Sequence, residues 1–208
     1  MACLDLEKLN QTKPERSPFE FIIVPGFVKA KRLKEINQDF PAIEKAGNFP
    51  IEDLTYGTAF KTFLDEIKSP KFQGIVEKKF NISLQGTQHL VTVRGFSEKS
   101  DGNIHTDSPS KVVTALIYLN ENWDSDGGRL RLLRNSHDID DYVAEVPPVS
   151  GTLLVFKRSE NSWHGHKRFA GPRRTIQLNW VSNAIADNTT YRKGQVKRRV
   201  MRWLGLHA

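Results

Sequence analysis

Cysteine is almost absent from this chain of 208 residues, since the single one, Cys3, lies near the N-terminus. An internal disulfide is therefore excluded, and so are zinc sites that are built from several thiolates. This cysteine usage is typical of a reducing compartment and predicts a cytoplasmic protein. Long apolar runs are also missing: none approaches the roughly 20 residues of a membrane-spanning helix. The first residues, MACLDLEKLN, do not have the apolar stretch of a secretory signal.

Acidic residues are lacking at the C-terminal end. From Thr189 onward the sequence holds six Lys and Arg residues and no Asp or Glu, so this end carries most of the net charge of +7. We predict that residues 186–208 form a basic, helical tail. Three roles stay open for it: docking of its apolar stripe on the domain, peripheral contact with an anionic membrane surface, or contact with nucleic acid. The sequence gives no indication of an oligomeric state.

The remaining chain divides into a helical part followed by a β-rich part. Residues 1–17 are polar, contain KPERSP and predict a flexible arm, and residues 18–185 predict one domain. A first strand is expected at 19–27, helices up to about residue 80, and then regularly spaced β-rich runs at 88–96, 111–120, 128–133, 143–148, 151–156 and 173–181. This order favours a mainly β fold, an antiparallel jelly-roll supported by N-terminal helices.

A candidate metal site begins in the stretch GNIHTDSPSK. His105 and Asp107 are two residues apart, so on an extended chain both side chains point to the same side and could bind one metal ion. A surface polar pair is the simpler interpretation of this motif by itself. The site needs a third ligand, and either His164 or His166, in SWHGHKRF, could supply it; the preceding strand and turn favour His164.

The last β-rich run, residues 173–181, has one polar face. Arg173 lies nine residues after His164 and alternates with apolar residues, together with Thr175, Gln177 and Asn179. A polar face can point to solvent, or inward if the barrel holds a charged ligand. Two His and one carboxylate with open coordination positions are the ligand set of non-haem Fe(II) oxygenases, and an Arg can bind the far carboxylate of a dicarboxylic cosubstrate.

With these motifs the chain resembles the 2-oxoglutarate- and Fe(II)-dependent dioxygenases. The prolyl-hydroxylase-like branch, which includes the hypoxia-sensing prolyl hydroxylases, is the most similar. The resemblance runs from about residue 88 to 182 and is carried by HTD, KVVTALIYLNENWDSDGGRLRLL, GTLLVF, SWH and RRT. It implies that the jelly-roll is a double-stranded β-helix.

The resemblance also implies a set of roles for individual residues. His105, Asp107 and His164 would bind Fe(II), and Arg173 and Tyr118 would bind the C5 carboxylate of 2-oxoglutarate, with help from Thr175. The implied cofactors are Fe(II), 2-oxoglutarate and O2, with ascorbate in support. The implied reaction hydroxylates an unactivated C–H bond of an unidentified substrate, either a protein side chain such as proline or a sugar or lipid-linked molecule, while 2-oxoglutarate becomes succinate and CO2.

Several alternatives stay open. Arg174 could replace Arg173 as the carboxylate-binding residue, although the Arg-x-Thr pattern favours Arg173. Phe96 lies about nine residues before the first ligand, where many prolyl 4-hydroxylases have a tyrosine, and this departure weakens a strict prolyl-4-hydroxylase assignment. A non-catalytic jelly-roll that serves as a metal-binding or interaction module is the main alternative function. A nucleic-acid-modifying enzyme of the same superfamily is another.

Overall fold

The computed structural model describes residues 2–182, in which the helices all lie before residue 81 and most of the strands after it, as the sequence predicts. The helices are α1 (Leu6–Gln11), α2 (Ala30–Gln38), α3 (Thr58–Ile67) and α4 (Pro70–Phe80), with a short 3-10 turn at Ile51–Asp53. The strands are β1 (Phe21–Val24), β2 (Phe49–Pro50), β3 (Gln88–Ser97), β4 (Lys111–Tyr118), β5 (Leu130–Leu133), β6 (Tyr142–Val146), β7 (Leu153–Lys157), β8 (His164–His166) and β9 (Gly171–Val181).

The strands form two sheets. The larger has the order β1-β7-β4-β9-β3-β2 and the smaller the order β6-β5-β8, and the strand pairs in both are antiparallel. The non-sequential order means that neighbouring strands are joined by crossings between sheets, as in a jelly-roll. The fold is therefore a mainly β double-stranded β-helix with N-terminal support helices, which confirms the predicted fold class.

The helices cover the outer face of the larger sheet. The apolar stripe of α3 is buried at Phe60, Phe63, Leu64 and Ile67, in one cluster with the outward-facing residues of β4 and β9. The predicted break between α3 and α4 is present at Ser69, whose side chain accepts a hydrogen bond from the backbone N–H of Phe72 and so caps α4. This packing leaves the inner face of the larger sheet free to form the site.

Strand β9 shows how the sequence pattern positions that site. Ile176, Leu178 and Trp180 belong to the apolar cluster beneath the helices. The alternate residues Arg173, Thr175 and Asn179 are also buried, which places them between the two sheets and not in solvent. The polar face of this strand therefore lines the interior of the barrel.

The N-terminal residues, predicted as a flexible arm, include three buried side chains. Cys3, Leu4 and Leu9 are buried, and the Glu66 carboxylate accepts hydrogen bonds of 2.8–3.1 Å from the backbone N–H groups of Cys3 and Leu4. Cys3, Leu4 and Leu9 therefore belong to the apolar cluster beneath the helices. The few apolar residues of the N-terminal segment are too widely spaced to give a periodic signal, and their hydrogen-bond partner lies more than 60 residues away in the sequence, at Glu66.

The predicted basic tail, residues 186–208, lies outside the described residues, so its three candidate roles stay predictions. Within residues 2–182, none of the helices has the length and apolar character needed to cross a membrane.

Candidate active site

Two segments bring the candidate metal ligands together. The backbone N–H of His105 donates to the carbonyl of His164 at 3.0 Å, and the N–H of His164 donates to the carbonyl of His105 at 2.9 Å. This isolated antiparallel bridge places the two imidazole rings 4.4 Å apart, centroid to centroid. One ligand atom from each of His105, Asp107 and His164 lies within 4.8 Å of the others. The structure thus brings all three predicted ligands to one point.

Both histidines are oriented for metal binding by backbone carbonyls. His105 Nδ1 lies 2.8 Å from the carbonyl oxygen of Asn103, and His164 Nδ1 lies 2.9 Å from that of Ser162. A carbonyl oxygen can only accept, so each Nδ1 carries a proton, and in the neutral ring Nε2 is the nitrogen that can bind a metal. Such a contact fixes the tautomer and the ring orientation of a metal-binding histidine.

The carboxylate of Asp107 is held on both oxygens. Thr114 Oγ1 donates to Oδ2 at 2.5 Å, and Lys111 Nζ contacts Oδ1 at 2.5 Å. Burial raises the pKa of Asp107, but the positive charge of Lys111 and the hydrogen bonds from Lys111 and Thr114 outweigh it, so the pKa lies below its usual value. Asp107 is therefore ionised at neutral pH, which is the form that binds a metal.

Removing the Thr114 hydroxyl should weaken metal binding. Thr114 is buried next to Asn179, whose Oδ1 lies 3.0 Å from Thr114 Oγ1. Neither residue belongs to the group of candidate metal ligands. We expect Thr114→Val to lower the affinity for Fe(II) or Mn(II) about tenfold, since partners of metal ligands typically contribute this much. A metal titration of Thr114→Ser, which keeps the hydroxyl, and of Thr62→Val on the exposed side of α3 should give near wild-type affinity. Equal affinity in Thr114→Val would show that Lys111 alone fixes the carboxylate.

His166 lies in the same pocket but outside the ligand group. Its Nδ1 is 2.9 Å from the carbonyl of Lys167, and it lines the pocket beside Arg173. The structure thus separates the two candidate histidines: His164 is in the cluster with His105 and Asp107, and His166 is not.

Acid should destabilise the metal-free protein. Burial, with a contribution from His105, lowers the pKa of His164 to about 4, and burial together with Arg173 lowers that of His166 to about 4. Unfolding restores a pKa near 6.5, so between these values the unfolded state binds more protons and stability falls as the pH falls. The free energy of unfolding, measured with urea, should fall by about 2 kcal/mol or more between pH 7 and pH 5. This decrease should be smaller in His166→Gln. A free energy of unfolding that does not change between pH 7 and pH 5 would contradict the lowered pKa values of His164 and His166.

Arg173 provides a buried cation next to the metal-ligand cluster. Its Nε donates to the carbonyl of Gly128 at 2.9 Å, and Nη1 lies 3.5 Å from Thr175 Oγ1. Within residues 2–182 no carboxylate forms a salt bridge with its guanidinium. Burial lowers the pKa of Arg173. A buried guanidinium without an anionic partner is costly, so this position is suited to an anion from solution.

Tyr118 lies beside this cation. Its ring centroid is 5.4 Å from the guanidinium carbon of Arg173, and its hydroxyl is buried without a hydrogen-bond partner among the described residues. Burial raises the pKa of Tyr118 although Arg173 opposes the shift, so the hydroxyl keeps its proton. The predicted carboxylate-binding residues Arg173, Tyr118 and Thr175 are therefore adjacent, and two of them have unused donor capacity.

Arg174 faces the other side of the sheet. Its Nη1 contacts the backbone carbonyl and the side chain of Asn37, both at 3.2 Å, and its guanidinium stacks over the ring of Phe40. It thus packs on α2 and does not line the pocket. Of the two neighbouring arginines, only Arg173 is placed to contact a ligand there.

One cavity of about 200 Å³ joins these groups. Its lining includes the three candidate metal ligands, Arg173, Tyr118 and Thr175. The donor set fits Fe(II), and the orphaned hydroxyl and unpaired guanidinium fit a carboxylate of the cosubstrate. A larger, open depression of about 540 Å³ lies between α1 and α4, but it holds none of the candidate site residues.

Sequence reasoning did not single out Arg94, which lines the cavity. Phe96 was considered for the position of the family tyrosine, but it is not part of the cavity lining; Arg94 is. Val91 and Val93 belong to the apolar cluster beneath the helices, so the alternation of β3 turns Arg94 to the opposite face, where it lines the cavity. This alternation in the sequence VTVR is the signal that could have found Arg94. The register of β3 against β9 becomes irregular only between Arg94 and Phe96.

The comparisons with known proteins agree with this geometry. The sequence model of the 2OG-Fe(II) oxygenase superfamily matches residues 90–182, and no curated protein gave a significant match. A prolyl-4-hydroxylase from Pseudomonas putida is similar in structure, with a TM-score of 0.53 and 17% identity over 86% of this chain and 90% of that one. A prolyl hydroxylase from Trichoplax adhaerens, in complex with a hypoxia inducible factor peptide fragment, gives a TM-score of 0.55 and 20% identity over 87% and 89%. HygX from Streptomyces hygroscopicus, with nickel, 2-oxoglutarate and hygromycin B bound, gives 0.50 and 14% over 78% and 83%. At these identities the likeness shows a shared fold.

Proposed function

We propose that this chain is an active dioxygenase that hydroxylates an unactivated C–H bond, because residues 90–182 match the sequence model of the 2OG-Fe(II) oxygenase superfamily. 2-Oxoglutarate would be converted to succinate and CO2 in the same reaction. The observation that carries this proposal is the meeting of His105, Asp107 and His164 in one cavity with the unpaired guanidinium of Arg173.

The metal would be held by Nε2 of His105, Nε2 of His164 and a carboxylate oxygen of Asp107. Three protein ligands leave coordination positions for the cosubstrate and O2. When bound, Fe(II) supplies the oxidising chemistry, with 2-oxoglutarate as the source of the two further electrons that the reduction of O2 requires. The protein keeps both histidines in the tautomer that binds metal and keeps Asp107 ionised.

The cosubstrate would be oriented by the residues at the far end of the cavity. Arg173 would bind the C5 carboxylate through its two Nη groups, and Tyr118 would donate its hydroxyl to the same carboxylate. Thr175, whose Oγ1 lies 3.5 Å from Arg173 Nη1, would support this contact. Leu116 and Leu130 also line the cavity and reduce its access to water, which strengthens these interactions.

The substrate would be a protein side chain such as proline, or a sugar or lipid-linked molecule. The similar structures include prolyl hydroxylases and one protein described with hygromycin B, so the fold is known with both kinds of ligand. O2 would be the second cosubstrate, and ascorbate would support the reaction by keeping the iron reduced.

Turnover of the cosubstrate tests this proposal without knowledge of the substrate. We expect slow release of succinate from 2-oxoglutarate that requires both Fe(II) and O2, and its loss in Asp107→Ala. A matched variant, Asp141→Ala, removes a carboxylate on the surface and should retain the activity. Metal binding without any succinate, under all conditions, would favour the non-catalytic metal-binding module.

A further inference from the structure

A polar wall lies in the cavity beside the residues assigned to the metal and the cosubstrate. Arg94 on β3 is paired in register with Thr175 on β9, which is paired in turn with Tyr118 on β4. The side chain of Arg94 therefore enters the same row of the inner face, and it is only 14% exposed. Neither the ligand group nor the cosubstrate residues include it.

The guanidinium of Arg94 is fixed by three neighbours. Nε donates to Asn48 Oδ1 at 3.0 Å, Nη1 lies 3.4 Å from Ser97 Oγ, and Nη1 also forms an ion pair with Asp101. Asn48, Arg94 and Asp101 all line the cavity. This group, which we call the Arg94 wall, offers an amide, a guanidinium and a carboxylate in fixed positions.

The Arg94 wall has no net charge of its own, because Arg94 forms an ion pair with Asp101. Of the other two cations of the cavity, Lys111 contacts the proposed metal ligand Asp107, and Arg173 is placed for the cosubstrate. Among residues 2–182, no further cation lines this cavity to attract an anionic substrate. Recognition of a substrate at the Arg94 wall must therefore rest on hydrogen bonds and not on net charge.

The polar groups of the Arg94 wall also make the binding of an apolar ligand there unfavourable. A prolyl ring that covered Asn48, Arg94 and Asp101 would remove water from their free donors and acceptors and return no hydrogen bonds, which costs free energy for each group. A hydroxyl group both donates and accepts, so neighbouring hydroxyls can satisfy a guanidinium and a carboxylate together. His166 and Gln177, which also line the cavity, add further hydrogen-bonding groups.

We infer that the Arg94 wall binds the hydroxyl groups of an uncharged, hydroxyl-rich substrate such as a saccharide unit, and that Arg94 determines this specificity. The inference rests on the proposed function, since it assigns the substrate class of the same cavity. It selects one of the substrate classes that the fold alone leaves open.

Paramagnetic line broadening in NMR tests the inference, because it detects weak binding close to the metal and needs no turnover. The protein is loaded with Mn(II) and 2-oxoglutarate, and three probes are compared: methyl α-glucoside, N-acetylprolinamide and glucose 6-phosphate. We expect wild type to broaden the glucoside resonances most strongly. In Arg94→Met the apparent dissociation constant of the glucoside should rise about tenfold or more, since a hydrogen bond to a charged group is lost.

Controls separate the inference from the proposed function and from misfolding. Arg134→Met removes an arginine that pairs with Asp141 on the surface, and it should bind the glucoside as wild type does. Broadening of the 2-oxoglutarate resonances shows in each variant that the site is intact. If Arg94→Met does not fold, the test is repeated with Asn48→Ala, at the exposed end of the Arg94 wall.

Three results would overturn the inference: stronger broadening of N-acetylprolinamide or glucose 6-phosphate than of the glucoside, no broadening of the glucoside, or equal broadening in wild type and Arg94→Met. If 2-oxoglutarate is not broadened in wild type, it is the proposed function that fails.

Discussion

The His164→Ala variant is expected to lose Fe(II) binding at working concentrations, and with it all succinate formation. His164 is buried, its Nδ1 is committed to the carbonyl of Ser162, and its free Nε2 belongs to the three-residue ligand group. Loss of a group that merely orients a metal ligand typically lowers metal affinity 10- to 100-fold, so removal of a ligand should lower it by more than about 100-fold. Equilibrium dialysis with Fe(II) under anaerobic conditions measures this directly.

Two other histidines serve as controls for this variant. His137 lies on an exposed loop, and His137→Ala should bind iron normally. His166→Ala should retain the metal site, because His166 is not in the ligand group, although its neighbour Arg173 and the substrate contacts are affected. If His166→Ala loses iron and His164→Ala keeps it, the ligand assignment is wrong and the two residues exchange roles.

Arg173→Ala should weaken the binding of 2-oxoglutarate while leaving the metal in place. The guanidinium is buried and has no carboxylate partner among the described residues, so it is free to pair with the cosubstrate. Truncating one partner of a buried, hydrogen-bonded charge pair costs about 2–5 kcal/mol, which corresponds to an increase of about 30-fold or more in the dissociation constant. A titration of 2-oxoglutarate into the Fe(II)-loaded protein measures the change.

Arg174→Ala is the matched control, since it removes the same side chain from the opposite face of β9. Its contacts with Asn37 and the ring of Phe40 are structural, so we expect a loss of about 1 kcal/mol in stability and an unchanged affinity for 2-oxoglutarate. Weak cosubstrate binding in Arg174→Ala, with normal binding in Arg173→Ala, would contradict the orientation of the strand.

Parts of the site could be predicted from the sequence where the alternation of apolar and polar residues matches the packing of the strand. In β9, apolar residues alternate with Arg173, Thr175, Gln177 and Asn179, and a strand covered by helices on one face must turn its other residues toward the second sheet. For this reason the strand and its two faces could be predicted, whereas the inward position of Arg173 followed from the resemblance to the dioxygenases. The break between α3 and α4 could be predicted as well, because Ser69 and Pro70 act locally.

Features that depend on distant partners could not be predicted. Strand β8 has only three residues, His164–His166, with no apolar alternation, and it exists because it pairs with β5. The meeting of His105 with His164 depends on an isolated bridge between two segments, and the packing of Cys3 depends on Glu66. None of these contacts leaves a periodic pattern in the chain, since each joins segments that are far apart in sequence.

The central claim is that this cavity binds Fe(II) and 2-oxoglutarate together. The most direct test is an anaerobic absorption titration, because chelation of Fe(II) by the cosubstrate gives a weak visible metal-to-ligand charge-transfer band that neither component gives alone. We predict that the band appears when 2-oxoglutarate is added to the Fe(II)-loaded protein and is absent in His164→Ala. A protein that binds iron but gives no band at any concentration of 2-oxoglutarate would contradict the account.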